Sequence, residues 1–154
     1  MELVVLIGLP GAGKSSLHRL RYAGTHVHVS KDLLGRSARS KDEKQMRLVD
    51  AALRTGRSVV VDNTNPRPAD RAPLLDLARQ LGATTVGILV AAPVADCLRR
   101  NAVREGKARV PPVAIYVAAK KLVPPSREEG FDEVLEARIL DDGSWLVRPL
   151  TPQT

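Results

Sequence analysis

Eight residues near the start of the chain, Gly8-Leu9-Pro10-Gly11-Ala12-Gly13-Lys14-Ser15, constrain its fold more than any other segment. Glycines at the first, fourth and sixth of these positions let the backbone curl until successive N–H groups converge on one point. Residues 2–7 before them are apolar after Glu2 and predict a short buried strand, while residues 13–22 have helical spacing. A tight turn from a buried strand into a helix is an anion cradle, because free backbone N–H groups and the positive helix end face the same spot. The G-x-x-x-x-G-K-[ST] spacing then adds two specific tools. Lys14 reaches the β- and γ-phosphates of a nucleoside triphosphate such as ATP, and the Ser15 hydroxyl supplies a ligand for Mg²⁺. Gly8, Pro10, Gly11, Ala12, Gly13, Lys14, Ser15 and Ser16 are accordingly the candidate nucleotide-binding residues.

The rest of the chain repeats the alternation of strand and helix. Apolar or β-branched runs predict strands at 25–29, 58–61 and 84–90, and helix-period segments fall at 44–54, 69–81, 94–105 and 111–122. Leu74, Leu75, Leu77, Ala78 and Leu81 mark one helical face, closed by Gly82; Pro124-Pro125 stops the last helix. Residues 134–140 and 144–148 are candidates for final strands. Such alternation implies a mostly parallel sheet with helices on both faces, right-handed crossovers and ligands at the strand C-termini. The expected fold is a three-layer α/β domain around a central sheet of four or five strands. At 154 residues, a single domain over 1–154 is expected, without room for a second catalytic domain.

Composition matters chiefly for the choice of partner. The net charge of +7 is localised: residues 31–57 hold eight Lys/Arg against four acids, and residues 96–109 hold five against two. Clustered positive charge suits a polyanion such as nucleic acid, although a basic solubility face would look the same. The single cysteine, Cys97, excludes an internal disulfide and reads as a buried packing residue. No apolar stretch approaches the roughly 18 residues that span a bilayer, and no charged leader precedes the first apolar run. A soluble, cytoplasmic protein without membrane association is expected. His18, His26 and His28 form no set with metal-ligand spacing, so no zinc is assigned.

The other candidate site residues fall at predicted strand ends. Asp62 closes the third strand, where it can organise Mg²⁺ with Ser15 or cap the following turn. Asp32 closes the second strand in His28-Val29-Ser30-Lys31-Asp32, placed to orient an acceptor hydroxyl or to cap a short helix through Leu33 and Leu34. Arg100 and Arg104, four apart on a predicted helix, project from one face toward the charge that builds on a transferring phosphoryl group. Lys107 and Arg109 follow around Gly106 in a segment suited to a closing lid.

In this order the segments resemble the kinase domain of the polynucleotide 5′-hydroxyl kinases, which occur in phage, bacterial and animal end-healing enzymes. The likeness runs from residue 3 to about 139. It is carried by the Gly8–Ser15 loop, by Val59-Val60-Val61-Asp62-Asn63-Thr64-Asn65-Pro66, by Arg100-Asn101-Ala102-Val103-Arg104 with Val110-Pro111, and by Gly130-Phe131. The resemblance implies a three-layer P-loop NTPase fold with a small helical lid over about 99–112. It implies ATP and Mg²⁺ as cofactors, and Asp32 as the general base at the 5′-hydroxyl of a DNA or RNA end. Arg100 and Arg104 would clamp ATP, one on the phosphates and the other against adenine, and Asn63 and Thr64 would lie on the acceptor side. Phage-type members place an acceptor-phosphate arginine three residues after the aspartate, where this chain has Gly35; animal members resemble Asp-x-Leu-Gly-x-x-x-Arg, which favours Arg39 over Arg36. Related enzymes form dimers or larger assemblies, so a homo-oligomer is a further expectation. No Asp-x-Asp-x-Thr nucleophile motif occurs, and kinase activity without 3′-phosphatase is expected. With Tyr22, Tyr116, Phe131 and Trp145 the only aromatic residues besides histidine, acceptor binding should rest on phosphate contacts and depend on salt.

Two other readings keep the phosphate loop. A kinase for a sugar, nucleoside, antibiotic or nucleotide-sugar would differ only at the acceptor loop. A nucleotide-dependent switch would have no use for Asp32 and the paired arginines.

Overall fold

The computed structural model describes residues 1–34 and 40–152. Strand β1 (Glu2–Ile7) lies inside the sheet, and every residue from Leu3 to Ile7 is buried. This is why the sequence there is continuously apolar rather than alternating. Around it the strands run in the order β2 (His26–Val29), β3 (Ser58–Asp62), β1, β4 (Thr84–Val90), β5 (Glu133–Ile139) and β6 (Trp145–Pro149). All neighbours are parallel except β5 and β6, which pair as an antiparallel hairpin. The sheet therefore has six strands, where four or five were expected. Both weakly apolar C-terminal segments join it because β5 pairs with β4 and shields them from standing alone.

Period-two alternation sorts the core into two layers. Leu3, Val5, Ile7, Val59 and Val61 pack against α2 (Lys41–Arg54) and α3 (Pro68–Gln80) through Val49, Leu53, Leu74, Leu75 and Ala78. Val4, Leu6, Val60, Val86 and Ile88 face α1 (Lys14–Arg21), α4 (Val94–Ala102) and α5 (Pro112–Lys121) through Leu17, Cys97 and Ile115. Cys97 is a buried packing residue, as its sequence context suggested. The chain builds β2 and β3 on one side of β1, then crosses to β4 on the other. That reversal opens a crevice at the C-terminal end of β1, where the glycine-rich loop begins.

Two boundaries differ from the sequence reading in ways that matter. Helix α4 ends at Ala102 instead of continuing to 105, one residue after the buried Asn101. Its side chain accepts from the Val110 N–H at 3.0 Å and donates to the Val110 carbonyl at 2.8 Å, closing the loop to α5. Helix α2 begins at Lys41, three residues before the expected start. Among the described residues no helix is long and apolar enough to cross a membrane.

Candidate active site

The glycine-rich loop owes its shape to two backbone positions. Gly11 and Gly13 have φ of +86° and +107°, in the left-handed region that favours glycine. A Cβ on Gly11 would also lie 2.6 Å from the carbonyl oxygen of Cys97. The Gly8 N–H donates to the Thr64 carbonyl at 3.1 Å, tying the loop to the segment after β3. Lys14 folds over its own loop, donating to the carbonyls of Gly8 and Leu9, both at 2.9 Å. Two of its three ammonium donors are thereby used, which leaves one for a phosphate oxygen. Burial pulls the Lys14 pKa down to about 8, opposed by Asp62 nearby. From the other side Arg100 donates to the carbonyls of Gly11 (3.1 Å) and Ala12 (3.2 Å).

At the foot of the loop the Ser15 hydroxyl donates to Oδ2 of Asp62 at 2.8 Å. A hydroxyl beside a carboxylate is a hard oxygen pair of the kind Mg²⁺ takes when phosphates and water complete its coordination. The chemistry of the donors fits that ion. The Asp62 carboxylate is buried, and among the described residues its side-chain partners are Ser15 and His28. His28 reaches the same Oδ2 at 2.9 Å, and His18 from α1 stacks on the His28 ring with centroids 3.8 Å apart.

Asp32 sits in a single 3₁₀ turn, Lys31–Leu33, beyond β2. Ser30 caps that turn by accepting from the Asp32 N–H at 3.3 Å, so the capping role open to Asp32 belongs to its neighbour. The Asp32 carboxylate is exposed and has no hydrogen-bond or ion-pair partner among the described residues. Asn63 fixes the turn from across the crevice. Its Oδ1 accepts from the Lys31 N–H at 2.9 Å, and its Nδ2 donates to buried Gln45 of α2 at 2.6 Å. Next to it Asn65 adopts φ +44° and donates to the Leu6 carbonyl at 2.8 Å, anchoring the post-β3 segment to β1.

One cavity of about 410 Å³ gathers most of these groups. Pro10, Gly11, Gly13, Lys14 and Ser15 line it together with Asp32, Asp62, Asn63, Thr64 and Arg104. Lys31 beside Asp32, Arg67 beyond β3, Lys107 after Arg104 and Lys121 of α5 also line it, with Lys31 paired to Asp42 at 2.5 Å and Arg67 to Asp70 at 3.4 Å. Arg71 keeps two of those segments in place: wholly buried, it donates to the carbonyls of Arg67 and Val123 and pairs with Glu129 at 3.1 Å. Arg100 lines a second cavity of about 770 Å³, bounded by Ala91 to Pro93 and residues 138–142. The two arginines therefore do not share a face. Arg104 lies beyond the end of α4 and enters the first cavity, while Arg100 stays on the helix and faces the second. Arg36 and Arg39 lie outside the described residues. Sequence reasoning missed His18, His28 and Gln45, since no local pattern links a strand histidine or a mid-helix glutamine to a distant carboxylate or amide. The hint available for His28 was its place four residues before Asp32 on a strand that ends at the site.

The family model for the AAA domain matches residues 3–122. The bifunctional polynucleotide phosphatase/kinase of Schizosaccharomyces pombe is 28% identical over 139 residues, covering 88% of this chain and 33% of that protein. An Acanthamoeba polyphaga mimivirus protein named "Putative bifunctional polynucleotide phosphatase/kinase" is 31% identical over 157 residues, covering 94% of this chain and 36% of the viral one. The chain thus spans about a third of the length of these curated relatives. Its fold is shared with a sugar kinase from Janibacter sp. HTCC2649, at a TM-score of 0.64 and 18% identity over 88% of this chain and 85% of that one.

Proposed function

The chain belongs to the AAA domain family, and from that premise we propose that it transfers the γ-phosphate of ATP, with Mg²⁺, to the 5′-hydroxyl of a DNA or RNA end. The observation that carries this reading is the single cavity lined by both the phosphate loop and Asp32. A triphosphate is already served there by the loop N–H groups, Lys14 and Arg104. Lys107 and Lys121, which have no ion-pair partner among the described residues, suit a second polyanion better than a neutral sugar. The names of the two curated relatives agree with a nucleic-acid end as acceptor.

In this mechanism the loop fixes the β- and γ-phosphates and Lys14 spends its remaining donor on them. Asp32 accepts the proton of the 5′-hydroxyl as that oxygen bonds to the γ-phosphorus. The bond from the γ-phosphorus to the bridging oxygen breaks, and ADP leaves with its electron pair. Arg104 offsets negative charge on the moving group, and Arg100 braces the loop carbonyls beside the second cavity, which has room for the donor base. Ser15 and Asp62 would hold Mg²⁺, which would supply positive charge to offset that of the phosphates.

Transfer of labelled γ-phosphate to a 5′-OH oligonucleotide, beside free nucleosides and sugars, tests the reading. Label on the oligonucleotide is expected; label on small molecules alone would overturn the acceptor. Hydrolysis without transfer to any acceptor would overturn the kinase reaction and favour a switch.

A further inference from the structure

His28 on β2 bonds Asp62 and His18 on α1 stacks on His28, and the phosphoryl transfer described above uses neither. Their meeting follows from sheet geometry. The parallel register pairs His28 with Val60, and alternation along β3 puts Asp62 on the same face as Val60, toward α1. Helix α1 carries both Ser15 and His18 to that face. Ionised carboxylates only accept, so the His28 contact is an Nε2–H donated to Oδ2. Ser15 donates to that same oxygen, and Oδ1 receives no hydrogen bond among the described residues.

A carboxylate turns easily about its last bond, and a serine hydroxyl is itself a rotor. Ser15 alone would leave the plane of Asp62 loosely defined. Donors arriving from β2 and α1 at once fix it, and Oδ1 is the oxygen left over. The His18 stack has a cost of its own: His18 Nε2 is buried without a partner, where a leucine would pack with no unmet polar atom. A ring face against His28 is what that position gains.

We propose that His28 is a positioning residue for the divalent-cation site, holding Oδ2 of Asp62 so that Oδ1 stays turned toward the cation that accompanies ATP, with His18 steadying the imidazole. The inference rests on Ser15 and Asp62 as the Mg²⁺ pair and does not depend on the acceptor.

The test compares His28→Gln, which keeps a donor at the reach of Nε2, with His28→Leu and with His28→Asn, whose amide is too short. Mn²⁺ binding to the ATP complex is followed by electron paramagnetic resonance, and ATP binding is measured in EDTA. The Mg²⁺ midpoint of ATP turnover, by transfer or hydrolysis, is recorded alongside. Leucine and asparagine should weaken Mn²⁺ binding and raise the Mg²⁺ midpoint about 10- to 100-fold, the usual penalty for losing a partner of a metal ligand. ATP affinity in EDTA should stay as in the parent protein, and glutamine should restore most of the metal affinity. If leucine unfolds the protein, the contrast between glutamine and asparagine still decides. Unchanged Mn²⁺ affinity in asparagine or leucine, or glutamine failing like asparagine, would overturn the proposal. Absence of transfer to any acceptor, with the Mn²⁺ pattern intact, would instead sink the polynucleotide reading and leave this one standing.

Discussion

On the donor side of the cavity, the loop from Gly8 to Ser15 is held by its own backbone, by two left-handed glycines and by a lysine turned onto its own carbonyls. On the proposed acceptor side, Asp32 hangs from one 3₁₀ turn tied by two side-chain links, Asn63 reaching from beyond β3 and the Lys31–Asp42 ion pair at 2.5 Å. The first region is stiff through local geometry; the second is placed through long-range side-chain bonds. Phosphate groups are alike in every nucleotide, so a fixed cradle suits them. An acceptor end must enter and leave, and a turn carried on side-chain links can yield without disturbing the core.

The difference predicts which changes abolish chemistry and which only loosen it. The largest effect is expected from Asp32→Ala, which should lower kcat by about 100-fold or more while leaving ATP affinity intact. Near-normal single-turnover transfer by that variant would remove the base from the mechanism. Next comes pH. Lys14 is held at about 8 by burial, with Asp62, Cys97, Arg104 and Asp32 acting on it, whereas an unfolded lysine titrates near 10.5. Burial of the ammonium therefore costs stability in full below pH 8, and that cost fades as pH rises toward 10.5. Anionic ATP favours the charged form, so binding should take up a proton above pH 8. Affinity measured in EDTA by calorimetry should then fall by up to about tenfold per pH unit. Binding without proton uptake in that range would show that Lys14 is not the group facing the phosphates.

Asn63→Ala probes the longer-range of the two links that place the Asp32 turn. It removes the acceptor of Lys31 N–H and leaves buried Gln45 unpaired, for an expected loss of about 1–3 kcal/mol in denaturant unfolding. The same variant should lower kcat/KM for the oligonucleotide with little change in ATP binding; a loss confined to ATP would reverse the division between the two regions. The smallest effect is expected from Lys121→Ala on the cavity wall. Its KM for the oligonucleotide should rise a few-fold, and the slope of log affinity against log salt should shrink by about 0.7–0.9. No change in that slope would place the acceptor backbone elsewhere.

The chain sequence made the donor region legible because its requirements are local. Glycines at fixed offsets, a lysine and a hydroxyl at a helix start, and an aspartate ending an apolar strand each describe a few consecutive residues. The strand and helix order followed from period and composition in the same way. The acceptor region was legible only in part: Asp32 stood out, but Gln45, eighteen positions from its partner Asn63, carries no local signal. The spacing of Arg100 and Arg104 even misled, since four residues place two side chains on one face only while the helix lasts, and it ends at Ala102, before Arg104.

By itself, then, the sequence determined the anion cradle, the parallel α/β layering and the identity of Ser15 and Asp62 as an oxygen pair, because short-range sterics and hydrophobic period are written in neighbouring residues. Tertiary structure alone decided that His28 and His18 stand behind Asp62 and that Arg100 reaches the loop carbonyls of Gly11 and Ala12. Each of those depends on residues tens of positions apart meeting at one face of the sheet. Strand order and register set such meetings, and no local pattern encodes them.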